Sequence, residues 1–450
     1  MQFSKETCTG QAGLDEDMQT SLRRIANKAR KDKGHRFQNL YRLLNEQFLE
    51  QVFHRLNKKA ASGVDQVSYH EYGADLNVNI QRLVERLKSR RYRAKLVRRK
   101  NIPKGEGRTR PLGIPALEDK LLQTAVSLIL QAIYEQDFLP CSYGYRPKIG
   151  ARDAVEELSA RLQFGKFTYV VEADIKSFFD RIEHEWLLKM LEERVDDRPF
   201  LRLIGKWLKA GILEEDGEVL RPESGTPQGG SVSPVLANIY LHYVLDLWFE
   251  RVVKKQCQGE VLMIRYADDF VCLCQYRREA DRIFHVLPKR LAKFGLELAP
   301  DKSRIIKFNR FHNVNGKRFC FLGFEFYWGT SRKGKALLHA RTSPKKLRSS
   351  LAEFADWCRR HRHLGNREIF SMVNAKLRGH YNYFGVRGNY KSLRNYYYRA
   401  TRILGKWLNR RSQRRSCNWP QYRQWLKIYR VKMPRIVVKS QGPAQILLPC

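Results

Sequence analysis

Two adjacent carboxylates, Asp268 and Asp269, stand between the apolar runs Val261-Leu262-Met263-Ile264 and Phe270-Val271-Cys272-Leu273-Cys274. Both runs have the length and composition of strands, so Tyr266-Ala267-Asp268-Asp269 is expected to be a tight acidic turn joining two short buried strands. Carboxylates fixed on a rigid hairpin suit a hard divalent cation. Such pairs alone are commonest in solvated loops, so a metal reading needs a further acid from another strand. Tyr169-Val170-Val171-Glu172-Ala173-Asp174-Ile175 offers one, in a strand-like run followed by Phe178-Phe179-Asp180 and then by Ile182, Trp186, Leu187 and Leu191 at helical spacing. Three acids compete there. Glu172 lies deeper on the strand face it shares with Asp174, and Asp180 with Glu183 has the spacing of a capping box that would open the next helix. Asp174, at the strand end, is the preferred ligand, with the Ile175 carbonyl as a further oxygen donor. Acids so disposed are what metal-dependent phosphoryl transfer requires, with two ions about 4 Å apart over the attacking and leaving oxygens.

Other motifs surround this pair in a fixed order. They are Ile102-Pro103-Lys104-Gly105, Arg108-Thr109-Arg110-Pro111-Leu112-Gly113-Ile114-Pro115, Ser142-Tyr143-Gly144-Tyr145-Arg146-Pro147, Gly225-Thr226-Pro227-Gln228-Gly229-Gly230-Ser231-Val232-Ser233-Pro234, Pro300-Asp301-Lys302-Ser303 and Phe321-Leu322-Gly323-Phe324. With the acidic strand end and Tyr-Ala-Asp-Asp, this series resembles the group II intron-encoded proteins, reverse transcriptases with an attached maturase region, over roughly residues 20 to 440. The resemblance implies an α+β right-hand polymerase, with fingers, a palm whose antiparallel sheet carries the Tyr-Ala-Asp-Asp turn, and a helical thumb. It implies that Asp174, Asp268 and Asp269 are catalytic and hold two Mg²⁺ ions, with Mn²⁺ as a substitute. Phe179 matches the aromatic gate under the sugar of the incoming dNTP, where a ring leaves no room for a 2′-hydroxyl; by composition alone it would be a core ring. Gln228 resembles the glutamine that contacts the nucleotide, and Lys104 and Arg110 the basic residues that meet the triphosphate. Lys302 is expected near the nucleotide phosphates and Arg146 against template or fingers.

Lys and Arg total 85 against 46 Asp and Glu, giving +39, while 43% of the chain is apolar. The chain is therefore expected to be globular, with a polyanionic partner. No run approaches the ~20 apolar residues of a membrane span, and Met1-Gln2-Phe3-Ser4-Lys5-Glu6 lacks the apolar core of a signal peptide. A cytoplasmic, bacterial-type location follows, with nucleoid association during DNA insertion and no membrane partner. The nine cysteines form no Cys-x-x-Cys pair, so reduced thiols and no structural zinc are expected. Residues 331–450 hold 29 Lys or Arg against the acids Glu353, Asp356 and Glu368, about two-thirds of the net charge, interleaved with aromatics such as Trp357, Tyr381, Tyr396, Trp407 and Trp419. Basics among aromatics can neutralise phosphate and stack on bases. Arg410, Arg411, Arg414 and Arg415 form the densest cluster and are the candidates for nucleic-acid binding.

The elements that must position these groups follow from periodicity. Leu22, Ile25 and Ala29 predict one helix, and Phe37, Leu40, Leu44, Phe48, Val52 and Leu56 another. A long helix is expected from about Leu117 to Tyr134, and Val286, Leu287, Leu291 and Phe294 predict one ending before Gly295. Ser343-Pro344 should cap a helix carrying Leu347, Leu351, Phe354 and Cys358. Asn366 opens the next, with Ile369, Phe370, Val373 and Leu377, and a third carries Leu393, Tyr397, Ala400, Leu404 and Trp407. The chain thus reads as N-terminal extension and fingers over 1–160, palm over 161–331, thumb and maturase region over 332–415, and a short basic tail over 416–450. Only 35 residues follow the arginine cluster, which is expected to be too few for a zinc-containing DNA endonuclease domain. The resemblance implies a structured intron RNA, an RNA template with a DNA primer, target DNA and dNTPs as partners. Two alternatives stay open: a relative recruited to phage defence or CRISPR spacer acquisition, and an RNA-binding splicing factor with a vestigial polymerase.

Overall fold

The computed structural model describes residues 16–105, 108–226, 229–310, 316–411 and 417–437. The chain divides into two compact units: one takes the chain up to Gly150 with Val171–Ile305, the other Ala151–Val170 with the chain from Ile306 on.

In the first unit the helix Glu16–Lys31 buries Leu22 and Ala29 and packs on Leu117–Tyr134, a helix with the bounds expected from its near-continuous apolar run. The single helix expected across Phe37–Leu56 is instead broken. Phe37 forms an isolated bridge with Val195, Tyr41–Leu43 makes one 3₁₀ turn, and the Asn45 side chain accepts from Phe48 N at 2.9 Å to start a shorter helix, Glu46–Phe53. Leu40, Leu44, Phe48 and Val52 are buried all the same. The spacing was a true burial signal, but a capping asparagine resets the backbone within it.

A long hairpin, Val97–Gly105 with Arg108–Ile114, runs antiparallel from Arg98↔Ile114 to Gly105↔Arg108, with a bulge between Pro103 and Gly105. The sheet beneath the acidic turn has the strand order Val261–Tyr266, Asp269–Cys274, Tyr169–Asp174, Arg304–Lys307. The Asp269 strand is therefore central, and the strand ending in Asp174 lies beside it at the ~5 Å spacing of neighbouring strands. Both apolar runs face into the protein: Met263, Ile264, Phe270, Val271, Cys272 and Leu273 are all buried. Behind the sheet the helix Ser233–Leu241 continues through two π-helical stretches, His242–Asp246 and Phe249–Val253.

The second unit carries the helix Ala151–Phe164, a three-stranded sheet ordered Ala336–Thr342, Phe324–Thr330, Phe319–Phe321, and the helices Pro344–His361, Asn366–Phe384, Tyr390–Leu408 and Trp419–Ile428. Its middle strand pairs with Ala336–Thr342 from Phe324↔Thr342 to Thr330↔Ala336, so the ladder runs across the 331/332 boundary drawn from sequence. Ser343 caps its helix as expected, accepting from Lys346 N at 3.3 Å. Asn366 does not cap: Gly365 holds that position, and Asn366 Oδ1 accepts from Arg411 Nη1 at 2.6 Å. In the third helix Leu393, Ala400 and Leu404 are buried as expected, but Tyr396 and Leu408 are buried rather than Tyr397 and Trp407, one position earlier and one later. The tail contains a helix that periodicity missed, opened by a capping box between Asn418 and Gln421.

Candidate active site

The acidic turn forms as read. Tyr266 pairs with Asp269, leaving Ala267 and Asp268 as a two-residue loop, and Ala267 adopts a left-handed φ of +57°. A non-glycine residue there is strained, and a buried network holds it. Arg265, one residue before Tyr266, is fully buried and donates through Nε and Nη2 to both oxygens of equally buried Asp246, at 2.7 and 2.6 Å. Its Nη1 donates to Ala267 O at 3.1 Å and to Asn238 Oδ1 at 3.2 Å, and its Nη2 to Ser142 Oγ at 2.7 Å. Desolvation works against the Arg265 charge, but the Asp246 carboxylate outweighs it and the guanidinium pKa is raised. Asp246 reaches this point from a π-helical stretch, a local distortion that re-aims side chains and recurs at functional sites.

The Ser142–Pro147 motif lies directly on the turn. Gly144 comes so close that a Cβ there would stand 2.4 Å from Ala267 N, and its carbonyl accepts from Asn238 Nδ2 at 2.6 Å. Arg146 points inward, donating to Glu135 at 3.0 Å and to the Leu139 and Ser142 carbonyls at 3.2 and 2.9 Å, which makes it a brace for this loop. Tyr145, not singled out from sequence, is exposed beside the acids: desolvation and the Asp268 charge push its phenol up to about 12. Its ring meets Phe179 edge-on at 6.3 Å.

Asp174 ends its strand half-buried. Its carbonyl accepts from Ala299 N at 2.8 Å while Lys176 N donates to Glu297 O at 2.8 Å, and neither bond uses the Ile175 carbonyl between them. Glu172 is engaged by Arg304, in keeping with its deeper position. The expected capping box of Asp180 and Glu183 does not form. Asp180 closes a 3₁₀ turn, and Glu183 sits at the cap of the helix His184–Glu192 with no side-chain capping bond. Phe178 takes the core position and Phe179 is the half-exposed ring. Behind it the Gly225 segment returns close enough that a Cβ would lie 2.9 Å from Asp180 Cα, at φ +90°, and Thr226 N donates to Phe179 O at 2.7 Å. Gln228, Arg414 and Arg415 lie outside the described residues, as does the side chain of Lys104. Arg410 is exposed over the Trp407 ring, whereas Arg411 is half-buried and tied to Asn366 and to Leu364 O.

The electrostatics are those of crowded like charge. Desolvation, then Asp174 and Asp268, push Asp269 up to about 7, although the residue is exposed at the start of its strand. Asp268 is raised by desolvation and by Asp174, with Arg110 and Lys302 opposing. Arg110 is therefore within electrostatic reach of the acids. Lys302 pairs directly with Asp174. Among the described residues no three acids, imidazoles or thiols already stand together as a metal-ligand set. On Asp174 the Lys302 ammonium supplies a positive charge of the kind a cation would otherwise bring. Hard oxygen donors whose mutual repulsion is this poorly compensated fit a divalent cation.

Residues 102–326 match the family model described as reverse transcriptase (RNA-dependent DNA polymerase). Protein YkfC of Escherichia coli is 32% identical over 73% of this chain and 93% of its own length. The group II intron-encoded protein LtrA of Lactococcus lactis is 29% identical over 84% of this chain and 75% of its own. Among solved structures, telomerase from Candida albicans with a fragment of telomeric RNA superposes with a TM-score of 0.43 at 12% identity, over 85% of this chain and 71% of that one. A family of this kind works with divalent metal ions and nucleic acid, and among the described residues no helix is long and apolar enough to cross a membrane. The chain belongs to the reverse transcriptase (RNA-dependent DNA polymerase) family.

Proposed function

We propose that the protein is the RNA-directed DNA polymerase of a group II intron, which copies the intron RNA into DNA and assists its folding and splicing as a maturase. The observation that carries the reading is that Asp174 and Asp269 lie at the ends of adjacent strands with Asp268 in the turn beside them, near enough that desolvation and then the Asp174 charge raise both carboxyls, Asp269 to about 7. Asp174, Asp268, Asp269 and the Ile175 carbonyl would hold two Mg²⁺ ions, which supply the positive charge that activates a primer 3′-hydroxyl and steadies the leaving pyrophosphate. The protein's own part is placement. Arg110 and Lys104 present fixed positive charge to the triphosphate from the hairpin, and Lys302 is free to turn from Asp174 to a phosphate once the acids are neutralised. Phe179, fixed from behind by the Thr226 bond, floors the sugar site, and Gln228 lies in the segment that follows. The acids need no nucleophile among them: the hydroxyl attacks the α-phosphorus in line, and pyrophosphate departs.

In this reading residues 1–160 act as N-terminal extension and fingers, 161–331 as palm, 332–415 as thumb and maturase region, and 416–450 as a basic tail. The work takes place in the cytoplasm and at the nucleoid, on intron RNA, an RNA template with its DNA primer, and target DNA. The test gives purified protein the RNA that flanks its gene, with dNTPs, a DNA primer and Mg²⁺. The proposal expects both DNA synthesis from that RNA and faster splicing of it. Synthesis without any effect on splicing would remove the maturase role; splicing help without synthesis would leave a splicing factor with a vestigial polymerase.

A further inference from the structure

In the second unit a cavity of about 290 Å³ opens between the helices Tyr390–Leu408 and Trp419–Ile428. We propose that it is a subsite for one unpaired nucleobase of bound single-stranded RNA, stacked against Trp419 with its phosphate at Arg402 and Lys406. The proposal rests on the RNA-binding reading above only for its choice of RNA.

The walls are built rather than incidental. The helices touch at Gly405, where a Cβ would stand 3.1 Å from the Tyr422 ring, and Tyr422 Oη donates to Thr401 O at 2.6 Å across the same junction. The entry to the second helix is fixed twice. Asn418 and Gln421 form a capping box, and Cys417 N donates to Asn409 Oδ1 at 2.9 Å, tying the segment to the end of the first helix. Trp419 is therefore held at the first turn, edge-on to Tyr422 at 5.9 Å, yet half of its surface is exposed. A single half-exposed ring is ordinary on a protein surface; held rigidly at the wall of a cavity, it offers a face on which a planar group can stack.

The charge says which partner. Neither helix contains a single Asp or Glu, while Lys391, Arg394, Arg399, Arg402 and Lys406 recur along the exposed face of the first, and Arg410 continues the row. Arg402 and Lys406 sit one turn apart at the cavity, with the Arg402 guanidinium also over the Tyr398 ring at 5.5 Å. An aromatic wall with two cations on its rim matches a base and its phosphate, the pairing by which single strands are held. The volume, at the low end of the roughly 300–1,000 Å³ of small-ligand pockets, admits one heterocycle and excludes a stacked base pair. Duplex RNA could use the cationic row but not the cavity.

The test uses the full chain in EDTA without dNTPs, so that it does not depend on polymerisation. A short single-stranded RNA carrying one 2-aminopurine is titrated against wild type, Trp419→Ala and Trp419→Phe, with a blunt hairpin of the same composition, closed by a non-nucleotide linker so that it presents no unpaired base, as the paired control. Wild type should quench the probe. Trp419→Ala should lose most of the quenching and weaken single-strand binding about 5- to 150-fold, the range that one base–aromatic stack supports. Trp419→Phe should retain most of both, and hairpin binding should be unchanged throughout. Single-strand binding and quenching by Trp419→Ala equal to wild type would overturn the subsite, as would equal loss on single strand and hairpin. RNA-templated primer extension by wild type, run separately, reports on the function proposed above and can fail while the subsite stands.

Discussion

Replacing Arg265 is the perturbation whose size the structure lets us work out. Its guanidinium makes five hydrogen bonds, two of them to an Asp246 carboxylate with no solvent exposure. Arg265→Met would leave that carboxylate charged and unpaired in the interior. Breaking a buried pair in this way costs about 3–5 kcal/mol, and at ~2.1 cal/mol/K of unfolding entropy per residue over the roughly 285 residues of this unit the melting temperature should fall by roughly 5–8 °C. Arg265→Met with Asp246→Leu should recover a large part of the loss, since an apolar pair removes the stranded charge along with its partner. Arg265→Lys separates stability from geometry. An ammonium carries the charge but cannot keep the fork on Asp246 while also holding the Ala267 carbonyl, so the strained turn should loosen. Misplacing reacting groups by about 1 Å costs on the order of 100-fold; RNA-templated turnover by Arg265→Lys should therefore fall by one to two orders of magnitude, with a smaller loss in melting temperature than Arg265→Met shows. Calorimetry and single-nucleotide extension on the same preparations provide both readouts. Arg265→Met melting within a degree of wild type, or Arg265→Lys turning over normally, would refute the idea that this network holds the turn.

Phe179→Val should open space under the sugar and raise ribonucleotide incorporation relative to deoxyribonucleotide; unchanged sugar selection in competition assays would return Phe179 to a packing role. Asp269, held near 7 against about 4 for an ordinary aspartate, keeps its proton in the folded state over a window in which the unfolded chain releases it. The resulting stability is whole below about pH 4 and is lost as pH rises to about 7. In EDTA the melting temperature of wild type relative to Asp269→Asn should thus decline across that window, and Mg²⁺ should restore it at pH 8; a difference independent of pH would contradict the assignment. Neutralising Arg410, Arg414 and Arg415 should lower the salt slope of single-stranded RNA binding by about 0.7 for each phosphate left without its cation, measured by titration at several salt concentrations. Arg411→Ala should instead act chiefly on stability, because its guanidinium is spent on Asn366 and Leu364.

How far the sequence could be read depended on whether a residue's role is set by its neighbours in the chain. The Leu117–Tyr134 helix, the Asp268–Asp269 hairpin and the Ser343 cap depend on local pattern and formed as expected. Where two local signals competed, the reading failed. Apolar spacing ran through Asn45, but the capping side chain prevailed, and Asp180 had the spacing of a capping box while the backbone there turned in a 3₁₀ turn. Asn418-Trp419-Pro420-Gln421 carried a legible helix start, hidden by its place in a basic tail. The interactions that define the site lay beyond local reading. Lys302 reaches Asp174 across 128 positions, and Arg265 finds its partner Asp246 in a π-helical stretch that periodicity does not foresee. Tyr145 had no signal of its own until the fold brought it beside Asp268 and Phe179.

The central claim is that the acids on these adjacent strands carry out nucleotidyl transfer, and one comparison tests it most directly. Wild type and Asp268→Ala are each given an RNA template, an annealed DNA primer, dNTPs and Mg²⁺, after matched circular dichroism spectra and melting curves have shown both to be folded. Removing Asp268 leaves Asp174 and Asp269 too few to hold the cations, while Arg265 grips the turn through the Ala267 carbonyl and not through the Asp268 side chain. Wild type should extend the primer, and the folded variant should give no product above background. Extension by Asp268→Ala at the wild-type rate would contradict it.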